Sequence, residues 1–137
     1  MIKNLKDNND FLFVGYREWA KNVHSRLKLK MTIVDSNKEL INLLSKNSFK
    51  HIFLVGWSSI IPDYILQKSN FYCVHPSELP YYRGGSPIQH QILDGSKSSY
   101  VTLFKIEGEL DSGPIFSKQQ ISLEGEINDV LTNIANA

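Results

Sequence analysis

Two side chains of different chemistry stand two residues apart in the segment FYCVH: the thiol of Cys73 and the imidazole of His75. So short an apolar segment reads as a strand, and alternate residues of a strand face one side, so the two are expected to point together. A histidine at the mouth of a sheet can give or take a proton, and a carboxylate from a neighbouring loop would complete an acid–base pair. Asp111, in the turn-rich GELDSG, is the nearest candidate. In an open parallel sheet ligands bind outside the carboxyl ends of the strands. Three polar segments would meet there: GWSSIIP, HPSELPYYRGG and GELDSG. No metal is expected. His24, His51 and His90 lack ligand spacing, and one cysteine argues against a thiolate zinc site and excludes an internal disulfide.

The elements that must position these residues follow from hydrophobic pattern. FLFVG (11–15), MTIVD (31–35), HIFLVG (51–56) and FYCVH (71–75) are short, apolar and partly β-branched, and read as strands. Between the first two, Trp19, Ala20, Val23 and Leu27 recur at helical spacing. Ser36 with Glu39 makes a capping-box pattern ahead of Leu40, Ile41, Leu43 and Leu44, which predicts a helix ending near Asn47. IIPDYIL predicts a short helix with Pro62 near its start, and Ser86-Pro87 a further helix with Ser86 as N-cap and Gly95 at its C-terminal end. YVTLFKI and PIFSKQQISL read as two strands joined by GELDSG. Strands alternating with helices imply crossover connections, so the expected fold is α/β, Rossmann-like, with a mostly parallel sheet flanked by helices.

Composition narrows the classes. The 137 residues carry 15 Lys+Arg against 14 Asp+Glu, a net charge of +1, with 42% hydrophobic residues. One core and one domain over 1–137 are expected from that length. So even a charge argues against bulk electrostatic binding to nucleic acid or membrane. The longest apolar stretch, HIFLVGW, is far short of the roughly 20 residues that span a bilayer. MIKNLKDNND lacks the apolar core of a signal peptide, which predicts a cytoplasmic protein. INDVLTNIANA starts a helix without a stop signal, so the C-terminal end of the domain is left open.

Several ordered motifs now become specific: His75-Pro76-Ser77 with Leu79-Pro80 and Arg83-Gly84, then Pro87-Ile88, Val101-Thr102, and Leu110-Asp111-Ser112-Gly113. Together they resemble the catalytic core of the folate-dependent formyltransferases, the family of methionyl-tRNA, glycinamide ribonucleotide and sugar N-formyltransferases. The resemblance covers about residues 51–123 and includes VGWSSIIPDYIL as the strand and loop at the folate site. It implies transfer of a formyl group from 10-formyltetrahydrofolate, as cosubstrate, to a primary amine, on a shortened domain of the family's type. By that resemblance His75 would donate to the formyl oxygen as negative charge develops there, and Asp111 would orient His75 and help move the amine proton through water. The backbone around Ser59, Ile60 and Ile61, and around Glu109, Leu110 and Asp111, would hold the pterin ring, with Ile60, Ile61 and Leu110 as apolar walls.

Two departures stand out. The family's Asn two residues before the His is Cys73 here, and a thiol is a weaker donor than an amide. Nothing marks Cys73 as a nucleophile; the bland reading is a small apolar residue on a strand. Family members also have more chain before the HPS loop. The expected acceptor is a small-molecule amine, a nucleotide-linked amino sugar, because no tRNA-binding domain or basic excess is seen; methionyl-tRNA is the alternative. Two others stay open: a non-catalytic folate- or nucleotide-binding module, and a formyltetrahydrofolate hydrolase needing the same His75–Asp111 pair but no amine site. A homodimer is common for the family, though no residue here marks its interface. Arg83 is expected to hold the loop through carbonyls, Tyr81 and Tyr82 to be one exposed and one buried ring, and Trp57 to be a core or pocket-wall residue. No G-x-G-x-x-G follows the first strand, which disfavours a nicotinamide dehydrogenase.

Overall fold

The computed structural model describes residues 10–107 and 111–137. The chain divides into two compact units, Met1–Phe71 and Tyr72–Ala137.

The first unit is a small parallel α/β layer. β1 (Phe11–Val14), β2 (Thr32–Val34) and β3 (His51–Val55) pair in parallel in the order β2-β1-β3, with α1 (Glu18–Arg26) and α2 (Asn37–Lys46) as the crossovers. β1 is central, so Leu12, Phe13 and Val14 are buried on both faces, as a continuous apolar run requires. Leu40 and Leu44, one turn apart on α2, are the residues it buries. Ser36 starts α2 as expected, its hydroxyl accepting from the Glu39 N–H at 3.2 Å. The Glu39 carboxylate reaches back to the Asp35 N–H rather than to that of Ser36, so the box is closed one residue early. Gly15 is required by close approach: a Cβ there would lie 2.7 Å from the Val55 carbonyl oxygen. The unit ends with the short α3 (Asp63–Leu66), which follows Pro62.

The second unit is antiparallel. β4 (Asn70–His75), β5 (Ser98–Lys105) and β6 (Ile115–Ser122) pair so that Cys73 opposes Phe104, His75 opposes Thr102, and Ser98 opposes Ser122. The two strands expected on either side of GELDSG are thus present; residues 108–110 of that segment lie outside the described residues. α4 (Pro87–Leu93) and α5 (Ile127–Asn136) complete the unit, α5 burying Val130 and Ile134. Gly95 ends α4 in a Schellman motif: φ is +81°, Ser96 N–H donates to the Gln91 carbonyl and Gly95 N–H to that of Ile92. Ser86 departs from expectation. It precedes Pro87 at the right place, but its backbone is left-handed (φ 54°, ψ 45°) and its hydroxyl caps nothing; a capping side chain needs the extended backbone of an ordinary N-cap. The fold is α/β and Rossmann-like, as the alternation of elements predicts, its described parallel pairs in the first unit and its antiparallel ones in the second.

Candidate active site

His75 is the last residue of β4, and the loop that follows, residues 76–86, folds back over it. The imidazole is only 6% exposed. Its Nε2 lies 2.8 Å from the Tyr82 carbonyl oxygen. A carbonyl can only accept, so Nε2 carries the hydrogen, and Nδ1 is the nitrogen left for other partners. Nδ1 faces Asp111 Oδ2 at 3.7 Å, longer than a direct hydrogen bond. The same carboxylate oxygen accepts the Gly84 N–H at 2.7 Å, a charge-assisted bond that ties the loop to the turn after β5. Nδ1 and the second carboxylate oxygen thus keep hydrogen-bonding capacity toward a bound molecule.

Cys73 lies near the same carboxylate. Part of the residue remains accessible, yet its thiol is pushed up from 9.0 to about 12, by burial first and by the Asp111 charge second. At neutral pH it is a thiol, which removes the thiolate that a nucleophilic role would need. Among the described residues no group of three His, Cys, Asp or Glu side chains could hold a metal ion.

Three non-glycine residues here have left-handed backbones: Tyr82 (φ 55°), Ser86 (φ 54°) and Asp111 (φ 50°). Each costs on the order of 1–2 kcal/mol for an L-residue, less for Asp. What holds them is a set of side-chain-to-backbone bonds the sequence reading did not find. Thr102 Oγ1, fully buried, donates to the Ser77 carbonyl at 2.6 Å; Ser77 Oγ donates to the Tyr81 carbonyl at 2.7 Å; Lys118 Nζ donates to the Leu79 carbonyl at 2.9 Å. Gln91, 3% exposed, sends its amide N–H groups to the carbonyls of Pro76 and Pro87, and its amide oxygen accepts from Ser99 Oγ. Arg83, expected to hold the loop, is exposed and bonds no carbonyl among the described residues. Tyr81 is exposed, while Tyr82 is half-buried and donates its hydroxyl to Asp94 at 2.7 Å, which raises its phenol above the ordinary range.

The other named residues are in the first unit or undescribed. Ser59 and Ile60 are exposed, Ile60 at 86%, whereas Ile61 is buried in the core of that unit and so is not the open apolar wall the resemblance implies. Glu109 and Leu110 lie outside the described residues. Trp57 meets Tyr16 edge-on at 5.7 Å, and Tyr16 Oη is 2.8 Å from Ser58 Oγ; the indole Nε1 is buried without a hydrogen-bond partner among the described residues. His24 bonds the Met31 carbonyl and His51 stacks on Phe11, both in structural roles.

An α/β chain with a buried His–carboxylate pair at a strand end is built for proton handling at a polar centre. Residues 17–135 match the family described as formyl transferase, and the chain belongs to that family. The methionyl-tRNA formyltransferase of Rickettsia prowazekii is 36% identical over 100 residues, a match covering 71% of this chain and 33% of that protein. The chain thus spans about a third of the length of such curated relatives. Among solved structures, methionyl-tRNA formyltransferase from Clostridium thermocellum superposes with a TM-score of 0.78 at 27% identity, over 92% of this chain and 59% of that one. A likely sugar N-formyltransferase from Mycobacterium tuberculosis gives a TM-score of 0.72 at 17% identity, over 93% and 63%, and shares the fold.

Proposed function

We propose that this chain is a formyltransferase catalytic domain that moves a formyl group from 10-formyltetrahydrofolate to a primary amine. The observation that carries the reading is the buried His75–Asp111 pair, held by a loop that engages Nε2 and one carboxylate oxygen and, among the described residues, leaves Nδ1 and the other carboxylate oxygen without a short hydrogen bond. The first unit offers an exposed hydroxyl on Ser59 and an exposed apolar side chain on Ile60, which fit a flat heterocycle with polar edges. The cosubstrate brings an activated formyl group; the chain's own residues do the rest. With Nε2 committed to the Tyr82 carbonyl, His75 in its imidazolium form donates from Nδ1 to the oxygen on which negative charge grows, and removing one such donor typically costs about 2.7–4 kcal/mol of barrier. Asp111 keeps that nitrogen oriented and accepts the proton that the attacking amine loses, so that it can pass on to the departing folate nitrogen. Cys73, a neutral thiol in the position of the family's Asn, contributes only a weak donor.

Among acceptors, the aminoacyl amine of methionyl-tRNA has the support of the 36%-identical relative. A nucleotide-linked amino sugar is the second reading, favoured by the net charge of +1, which supplies no broad basic surface for RNA. Both are tested by following tetrahydrofolate release by absorbance with each acceptor, beside a His75→Ala control. Acceptor-dependent release lost in the control identifies the substrate class. Release without any acceptor identifies a hydrolase instead. A folded protein that binds folate and releases nothing is a binding module, and the transferase reading fails.

A further inference from the structure

Gln91 has three hydrogen-bonding groups at its amide, and all three are used inside the protein. Its Nε2 donates to the Pro76 carbonyl at 2.9 Å and to the Pro87 carbonyl at 3.0 Å, while its Oε1 accepts from Ser99 Oγ. Pro76 begins the loop that covers His75, and Pro87 is the residue just after that loop ends. One buried amide therefore staples the two ends of the loop together. The loop so closed carries the Tyr82 carbonyl, which is what places the hydrogen of His75 on Nε2, and the Gly84 N–H, which holds Asp111.

We propose that Gln91, oriented by Ser99, is a positioning residue that sets the tautomer of His75 by fixing where the Tyr82 carbonyl lies. It touches neither substrate nor the imidazole; it acts through the loop. A buried amide that merely satisfied its own polar atoms would support stability and leave the imidazole unchanged. A positioning amide controls which ring nitrogen is protonated, and with it whether Nδ1 faces Asp111 ready for the reaction. The effect on rate rests on the transferase reading above; the effect on the tautomer does not.

The test uses the full 137-residue chain and two readouts. The first is ¹⁵N NMR of the His75 ring, which distinguishes a protonated from an unprotonated ring nitrogen without any substrate. The wild-type protein is expected to show Nε2 as the ring nitrogen that always carries a hydrogen. Gln91→Met, close in volume but without the two donors, is expected to show a mixture of tautomers. The second readout is turnover with 10-formyltetrahydrofolate, where kcat should fall about 10- to 100-fold, the range for a displaced catalytic group, with KM for the folate within about twofold. A folded Gln91→Met protein with the single wild-type tautomer overturns the proposal, whatever its rate. If Gln91→Met does not fold, Ser99→Ala decides: it frees the amide oxygen to rotate away, a tautomer mixture supports the proposal and an unchanged ring overturns it. A tautomer shift in a chain that shows no transfer at all would uphold the positioning role and reject the transferase reading.

Discussion

Two loops leave the carboxyl ends of strands in this chain, and they are held in opposite ways. The loop after β3 is anchored by burial of Ile61 and Ile65, by one hydroxyl contact between Tyr16 and Ser58, and by the edge-on Tyr16–Trp57 pair. Ile60 stands bare on its outward face. The loop after β4 is pinned from Thr102, Lys118 and Gln91 to its own backbone carbonyls, and it carries two non-glycine residues in left-handed conformations. Apolar burial is strong but non-directional, so it fixes a loop loosely and leaves a surface that can adapt to a ring. Hydrogen bonds to carbonyls are directional, and they fix positions to the tolerance that proton transfer needs. The difference separates a surface suited to holding a molecule from one suited to acting on it.

The largest effect should come from breaking the second region at its centre. His75→Ala or Asp111→Asn is expected to lower turnover by about 10²–10⁴-fold, the usual weight of a positioned acid–base group. Folate affinity, assigned mainly to the first region, should change little, and equilibrium binding measured beside the rate checks this. A loss of binding equal to the loss of rate would erase the division of labour between the loops. Next come the two described glycines crowded against backbone carbonyls. A Cβ on Gly113 would sit 1.6 Å from the Lys105 carbonyl oxygen, against 2.7 Å from that of Val55 for Gly15. Both Ala variants should lose stability in urea, on the order of 1–3 kcal/mol for overpacking, with Gly113→Ala the worse. Only Gly113→Ala, two residues from Asp111, should also reduce kcat.

Much of this comparison could be read from residue order, and the part that could not has a common cause. Ser36 and Glu39 predict the start of α2 because a cap is a local contact, and the β-branched runs predict strands because side-chain alternation is local too. The pairing of β5 with β6 followed from two such runs around a turn. His75 and Asp111 were named together from strand-end geometry and ordered motifs, and they lie 3.7 Å apart. Gln91, Ser99, Thr102 and Lys118 left no comparable trace. Their partners are backbone carbonyls, which every residue has, so nothing in the letters marks which carbonyl will be used. Tyr82 is the sharpest case: its ring drew attention, while its contact with His75 is through the main chain. Ser86 departs from its local signal for a related reason, since the left-handed φ that disables its cap is set by the loop and not by the Ser-Pro pair.

Cys73 offers a smaller effect with a clear sign. Cys73→Asn replaces a weak donor by an amide beside Asp111, and kcat should rise by about tenfold, less than the roughly 10²–10³ of a full oxyanion donor because the thiol already donates weakly. No activity in either form would favour the non-catalytic module. The thiol also predicts a pH dependence. Its folded value of about 12 lies above its ordinary 9.0, so the folded state holds the proton more tightly. The stabilisation is complete below about pH 9 and is lost as pH rises from there through about 12. Cys73→Ala should flatten that alkaline slope in urea midpoints measured between pH 8 and pH 11, and a slope that persists in the variant would assign it to the tyrosines instead.

The smallest expected change separates stability from chemistry. Ser36→Ala removes the bond to the Glu39 N–H and should cost about 1 kcal/mol, a typical cap, seen as a lower urea midpoint with unchanged slope. That loss is comparable to what Ser99→Ala could cause by leaving a buried amide oxygen short of a donor. The two variants should nevertheless differ in kind: Ser36→Ala leaves kcat and the His75 ring as in the wild type, whereas Ser99→Ala disturbs both at similar stability. Equal effects of the two on the His75 ring would mean that global loosening, and not the hydrogen bonds around Gln91, governs the site. The distinction drawn between the two loops would then rest on exposure alone.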